Sequence, residues 1–401
     1  MSQDELQALH AKYLRKLSAV DMTFRRYLYD QINWEVRMIG IKGARGVGKT
    51  TLLLQRIKLA FADPNEAFYV SLDDFWFQSH TLDELAQWLN SRGVMHLFLD
   101  EVHKYPKWSQ TLKNLYDDYP EMRIVYTGSS MLEIDHSKAD LSRRQTLYTL
   151  NVLSFREFLA FEGVLQMPAL TLEEVLKNHV VKAMEITKEI KVMRYFEDYL
   201  RRGCYPFYKE SGDDFLLRLD ETAKVVMEMD LPAVEEVTYQ TIQKAKSLLM
   251  IIAKNVPLEP NIQTLVNELE TTRDLCLKLL YALDRAGLLL LLTDEPKSYK
   301  HLVKPRKIFL GNPNLMHAFA TSIEVGTMRE TFFLNQVGAM AEVVMPKQGD
   351  FKVNGRYLFE VGGSGKSFDQ IADVPDSYLA VDDIETGCGN RIPLWMFGML
   401  Y

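Results

Sequence analysis

Cysteine is scarce: Cys204, Cys276 and Cys388 are the only three in 401 residues, and none stands at a metal-ligand spacing from another. That excludes a disulfide framework and a cysteine-based metal site, and reduced thiols in a reducing cytoplasm are expected. Long apolar runs are missing too. The longest, Gly287–Leu292, is strand-sized, so no segment is expected to cross a membrane. The opening stretch MSQDELQALHAKYLRKL is charged throughout, unlike a secretory leader. There is no surplus of positive charge: 47 Lys and Arg face 54 Asp and Glu, a net charge of −7. Nothing global therefore advertises nucleic acid or membrane binding, although a local patch is allowed. What remains is an ordinary globular composition, 47% apolar and 25% charged, in a chain too long for one core. Two or three domains are expected.

The first part of the chain alternates strands with helices. A helical segment over about 2–30 leads to the strand VRMIGIKG, a glycine loop and the helix TTLLLQRIKLAFA. The strand AFYVSLDD, the helix TLDELAQWLNSRG, the strand MHLFLDE, the helix PKWSQTLKNLYDDY and the strands RIVYTGSS and TLYTLNVL follow. Such alternation implies an α/β fold with a parallel, doubly wound sheet, its ligand at the carboxyl ends of the strands.

Three elements fall at those ends. Gly43-Ala44-Arg45-Gly46-Val47-Gly48-Lys49-Thr50 fits the pattern G-x-x-x-x-G-K-[ST] between a strand and a helix, with Thr51 next. Glycines let backbone N–H groups turn inward around phosphates, and the helix N-terminus adds its dipole. Lys49 is expected to reach the β- and γ-phosphates of ATP, and the Thr50 hydroxyl to bind Mg²⁺. In HLFLDE, Asp100 is expected to hold Mg²⁺, mostly through water, and Glu101 to polarise the attacking water. In RIVYTGSS, Thr127, Ser129 and Ser130 bring hydroxyls to the next strand tip, where one could touch the γ-phosphate or the water. The bland alternatives are a chance glycine turn, an acidic strand end in solvent and ordinary turn hydroxyls.

GARGVGKTTLL, VSLDD, FLDEVHK, YTGSSMLEI and LSFREFL together resemble a prokaryotic AAA-type P-loop ATPase family with a C-terminal region of unknown function. The resemblance is strongest over residues 35–160. It implies Walker A at 43–50, Walker B at 96–101 and a sensor-like strand end at Thr127–Ser130. It also implies that Arg143 or Arg144, in DLSRRQTLY, acts as a finger or sensor on the transferring phosphoryl group, against the plainer view of a solvated basic pair.

Beyond the ATPase domain (1–160), a helical lid or linker (161–240), a winged helix (241–312) and a nuclease-like domain (313–401) are expected. Over 241–312 three helices precede two strand-like runs, with eleven Lys and Arg against seven Asp and Glu. That local excess allows phosphate contacts, with Arg273, Lys278 and Arg285 on the third helix. The alternative is a packing or protein-contact module. GDFKVNGRYLFEVGGSGKSFDQI resembles a restriction-nuclease-like fold, in which an Asp and a Glu-x-Lys bind Mg²⁺ and activate water. Asp350 and Glu360 are suitably spaced, but Gly362 stands at the lysine position. A structural, degenerate copy is expected, unless Lys366 reaches in.

Two functions of different kinds stay open. One is a Mg²⁺-dependent ATPase acting as a switch or motor on a protein or nucleic-acid partner, possible as an oligomer. The other is an ATP-regulated nuclease or defence-type effector with its chemistry in the C-terminal domain. A nucleotide kinase is disfavoured, because Glu101 suits water activation and no substrate-base pocket is evident.

Overall fold

The computed structural model describes residues 3–128, 141–231, 238–296, 302–320 and 322–401. The chain divides into two compact units, Met1–Val152 and Leu153–Tyr401.

The first unit is built on a five-stranded sheet, in which β1 (Met38–Lys42), β2 (Ala67–Ser71), β3 (His96–Asp100), β4 (Arg123–Gly128) and β5 (Thr146–Thr149) lie in the order β2-β3-β4-β1-β5. Every pairing is parallel. The inner strands read as continuous apolar runs, and MIGI of β1 and LFL of β3 are buried. A parallel sheet covered on both faces requires that. Its helices are α1 (Gln3–Ala19), α2 (Leu28–Gln31), α3 (Lys49–Ala60), α4 (Leu82–Asn90) and α5 (Trp108–Asp118). A capping box fixes the start of α4: Thr81 accepts from the Glu84 N–H, and Glu84 accepts from the Thr81 N–H.

Two expectations are corrected. The helical segment over 2–30 is not continuous, because α1 ends at Ala19 and Asp21 turns the chain by accepting from the Thr23 N–H and hydroxyl. The strand expected to run from 146 to 153 ends at Thr149. Leu150 still donates to the Lys42 carbonyl at 2.8 Å, but the carbonyls of Asn151 and Val152 are taken by Arg26.

The second unit opens with helices α6 (Phe155–Phe161), α7 (Leu172–Glu189), α8 (Val192–Arg202), α9 (Tyr208–Ser211) and α10 (Phe215–Val225). Next come α11 (Tyr239–Asn255), α12 (Ile262–Glu268) and α13 (Arg273–Arg285), followed by an antiparallel pair, β6 (Leu289–Leu292) and β7 (Lys307–Leu310). Helices α14 (Pro313–Phe319) and α15 (Val325–Gly338) lead to a second five-stranded sheet. It is mixed, in the order β12-β11-β10-β9-β8, from β8 (Val343–Val344), β9 (Phe351–Val353), β10 (Tyr357–Gly362), β11 (Ser377–Val381) and β12 (Arg391–Pro393). Phe333 of α15 seats this helix on the sheet, with its ring 5.2 Å from Phe351 and 5.0 Å from Phe359. That contact positions the polar residues one turn earlier on α15. No helix among the described residues is long and apolar enough to cross a membrane.

Candidate nucleotide site

The carboxyl ends of β1, β3 and β4 converge in the first unit. Lys42 pairs with Gly128, Ile41 with Thr127 and Leu99 with Tyr126, so the glycine loop, Asp100 and Thr127 leave the sheet side by side. Geometry requires glycine in the loop for two different reasons. Gly48 caps α3 with φ at 95°, a left-handed conformation that L side chains rarely adopt. At Gly43 a Cβ would lie 2.4 Å from the Leu150 carbonyl oxygen. Any side chain there would push the loop off the edge of β5.

The loop has a brace that sequence reasoning missed. Arg26, only 4% exposed, donates to the carbonyls of Val47, Asn151 and Val152, with the last two at 2.7 and 3.1 Å. One guanidinium thus ties the phosphate loop to the chain leaving β5. Nothing around Arg26 in the sequence signals this role, which depends on contacts more than a hundred residues away.

Lys49 is buried at the start of α3, and its ammonium donates to the carbonyls of Gly43 and Ala44 at 2.8 and 2.9 Å. Thr50 donates its hydroxyl to Asp100 Oδ2 at 2.7 Å. Asp100, 3% exposed, accepts two further hydroxyls, Tyr69 at 2.8 Å and Thr127. Tyr69 was not foreseen. Burial, then the Asp100 carboxylate, push its phenol well above the ordinary range, so it serves as a permanent donor. Thr127 is fully buried and turned to Asp100, and the Glu101 N–H also approaches its hydroxyl, at 3.4 Å. Ser129 and Ser130 lie outside the described residues.

Glu101 begins the turn after β3 with φ at 55° and ψ at 44°, left-handed for a residue with a side chain. Such a conformation costs about 1–3 kcal/mol and persists where surrounding structure imposes it. Here the Lys104 N–H bonds back to the Glu101 carbonyl at 2.9 Å, closing the turn. The side chain keeps 21% of its exposure, unlike its neighbour Asp100.

The remaining expected residues separate. Gly46 is exposed with φ at 83°, Val47 is buried, and Ala44 and Arg45 are half-buried. Thr51 is exposed on α3. Arg144 forks onto Asp117 of α5, with contacts of 2.9 and 2.8 Å, while Arg143 is exposed. The structure thus brings Lys49, Thr50, Asp100, Glu101 and Thr127 together.

This arrangement, a glycine loop between β1 and α3 with an Asp-Glu pair at the end of a neighbouring strand, defines a P-loop NTPase domain. Residues 35–159 match the family described as AAA domain. The chain is also 28% identical to an uncharacterized protein of Methanocaldococcus jannaschii over 317 residues, 73% of this chain. That match spans 66% of the relative, just under two thirds of its length. Among solved structures, the Walker-type ATPase of Pyrococcus abyssi is 12% identical, with a TM-score of 0.39 over 74% of this chain and 95% of that one. AMPPCP-bound DnaA from Aquifex aeolicus is 14% identical, with a TM-score of 0.27 over 71% and 89%. At those scores the structural neighbours add no argument about function. Residues 35–159 thus combine a match to an AAA domain with the site geometry of a P-loop NTPase.

Proposed function

We propose that the protein is a Mg²⁺-dependent ATPase that works as a switch or motor on a partner. The observation that carries this reading is the convergence of Lys49, Thr50 and Asp100, with the Thr50 hydroxyl 2.7 Å from the Asp100 carboxylate. A hydroxyl and a buried carboxylate make a hard oxygen donor set suited to Mg²⁺. Thr50 and Asp100 would hold the ion, which supplies charge neutralisation for the phosphates. The loop N–H groups and Lys49 bind and orient the polyphosphate, and Glu101 polarises water. Arg143 is exposed and could meet a nucleotide held by a neighbouring copy, whereas Arg144 is engaged by Asp117. Phosphate release should depend on Mg²⁺ and rise per molecule with protein concentration or with added partner, including nucleic acid at low salt. Arg143→Ala should lower the raised rate, by as much as ~10³-fold, and leave ATP affinity nearly intact. No phosphate release under any of these conditions overturns the ATPase reading. A rate indifferent to concentration, partner and Arg143 overturns only its assembly part.

A nucleic-acid partner would find limited charge on α13. Lys278 and Arg285 stand two turns apart on one face, while Arg273 at the start of the helix points elsewhere.

A second reading, catalysis in the C-terminal unit, is favoured by one contact. Lys366 Nζ stands 2.6 Å from Glu360 Oε1, so the lysine absent from position 362 is supplied from four residues on. Gly362 is what makes room for it: a Cβ there would lie 2.8 Å from Lys366 Cγ and 2.9 Å from its Cβ. That contact supports the alternative in which Lys366 reaches in from the glycine turn. Glu360 is 2% exposed, and its Oε2 is buried with no hydrogen-bond partner among the described residues. Asp350 accepts from the Val361 N–H at 2.9 Å, and Glu330 of α15 contacts Lys307 at 3.3 Å. Burial, then Asp350, raise the Glu330 pKa, as expected where carboxylates crowd. No group of three or more His, Cys, Asp or Glu among the described residues is gathered as a metal site, so a divalent ion would rest on Asp350 and Glu360 with water. On this reading the full chain cuts DNA or RNA with Mg²⁺ or Mn²⁺, and Glu360→Ala or Lys366→Ala lowers cleavage roughly 10²-fold or more. Moving the lysine back, with Gly362→Lys and Lys366→Gly together, should restore part of it. No cleavage of single- or double-stranded substrates sinks this reading and leaves the ATPase reading standing.

A further inference from the structure

His103 lies in the turn after Glu101 and has no place in the chemistry so far. Its side chain is 2% exposed, and Nε2 stands 3.3 Å from Glu101 Oε2 without the alignment of a hydrogen bond. Both ring nitrogens are buried and lack a hydrogen-bond partner among the described residues. A buried imidazole left that way is costly, at about 1–3 kcal/mol for each unsatisfied group, and calls for an explanation. The ring is also neutral: burial, then the charges of Lys104, Arg45 and Lys49, push its pKa down to about 3. The contact with Glu101 is therefore no ion pair. Two of those three cations belong to the phosphate loop, so the imidazole lies within electrostatic reach of the loop as well as beside Glu101.

We propose that His103 is a positioning residue for Glu101, donating from Nε2 to the carboxylate and fixing the direction in which it presents its other oxygen to water. This rests on the ATPase reading above. Catalytic hydrogen bonds are often long or misaligned without substrate and tighten when it binds, and a small rotation of the Glu101 carboxylate closes a 3.3 Å gap. A neutral donor suits the task better than an imidazolium. It orients the carboxylate without neutralising it, and lowers its basicity less than a cation would. The turn that Glu101 begins, with its left-handed backbone, holds the two side chains within 3.3 Å of each other.

The test compares His103→Gln, whose amide nitrogen can take the place of Nε2, with His103→Leu, which keeps the burial and removes the donor. ATP binding should stay within about twofold of the parent in both. Single-turnover hydrolysis should fall roughly 10–100-fold in His103→Leu and recover most of the way in His103→Gln. A merely structural histidine would reduce binding and hydrolysis together, or both variants alike, and either result overturns the proposal. In the parent itself, ¹⁵N spectra of histidine-labelled protein should show the His103 ring as the Nε2–H tautomer, with a resonance that moves in Glu101→Gln. The Nδ1–H tautomer would overturn the proposal even if the variants failed to fold. A parent that does not hydrolyse ATP at all would instead refute the ATPase reading beneath it.

Discussion

Glu101→Gln should bind ATP with Mg²⁺ as the parent does and turn it over roughly 10²–10³-fold more slowly. Glutamine has the size and hydrogen-bonding reach of glutamate, so the turn that begins at φ 55° has no reason to change. The group lost is the anion that draws a proton from water. Asp100 cannot take over, because it is 3% exposed and its oxygens already accept the hydroxyls of Thr50, Tyr69 and Thr127. On the proposed reading the neighbouring carboxylates divide the work by environment: the enclosed one would hold an ion, and the partly open one would meet water. Binding measured by titration and turnover measured by phosphate release decide the matter. Unchanged turnover in Glu101→Gln would place the water-activating group elsewhere.

Arg26→Ala should lower the stability of the first unit by about 3 kcal/mol or more, and nucleotide affinity with it. The guanidinium serves the carbonyls of Val47, Asn151 and Val152. Its removal leaves those acceptors in a buried place, at about 1–3 kcal/mol for each one that water cannot reach. For a unit of this size that is a fall of roughly 10 °C in the unfolding midpoint. The loop carrying Gly43 to Gly48 would also lose its tether to the chain beyond β5, so its N–H groups would be less well arranged for phosphate. Arg26→Lys should recover only part of both losses, because one ammonium cannot reproduce the planar fork. Thermal unfolding with and without ATP separates the two effects. A midpoint within about 2 °C of the parent would show that water or neighbouring groups satisfy those carbonyls.

These two cases also mark where the sequence was legible. The glycine loop and the acidic pair lie within contiguous stretches, where a strand feeds a turn and a turn feeds a helix. Local chemistry dictates such segments, and the parallel sheet follows from their alternation. Arg26 and Tyr69 belong to the same site but to no pattern, and His103, although it stands in FLDEVHK, shows its contact with Glu101 only in the folded turn. Arg26 needs the break after Asp21 to reach Val47, and Tyr69 needs β2 beside β3 in register before its hydroxyl meets Asp100. Register and chain reversal are decided by contacts distant in sequence. The strand at 146–153 was overextended for the same reason, since the arginine that ends it lies more than a hundred residues earlier.

On the reading that places catalysis in the C-terminal unit, the contact between Lys366 and Gly362 has a consequence for how related chains are sought. A search for glutamate followed two places later by lysine discards this chain, although its ammonium stands 2.6 Å from the Glu360 carboxylate. The two positions trade against each other: a lysine at 366 needs a bare backbone at 362, and a side chain at 362 evicts the stem of Lys366. A better filter would accept lysine at either place and demand glycine at 362 whenever the lysine comes from 366. Applied to chains set aside as lacking the residue, that paired rule would pick out those able to bring an ammonium to the glutamate from the later position.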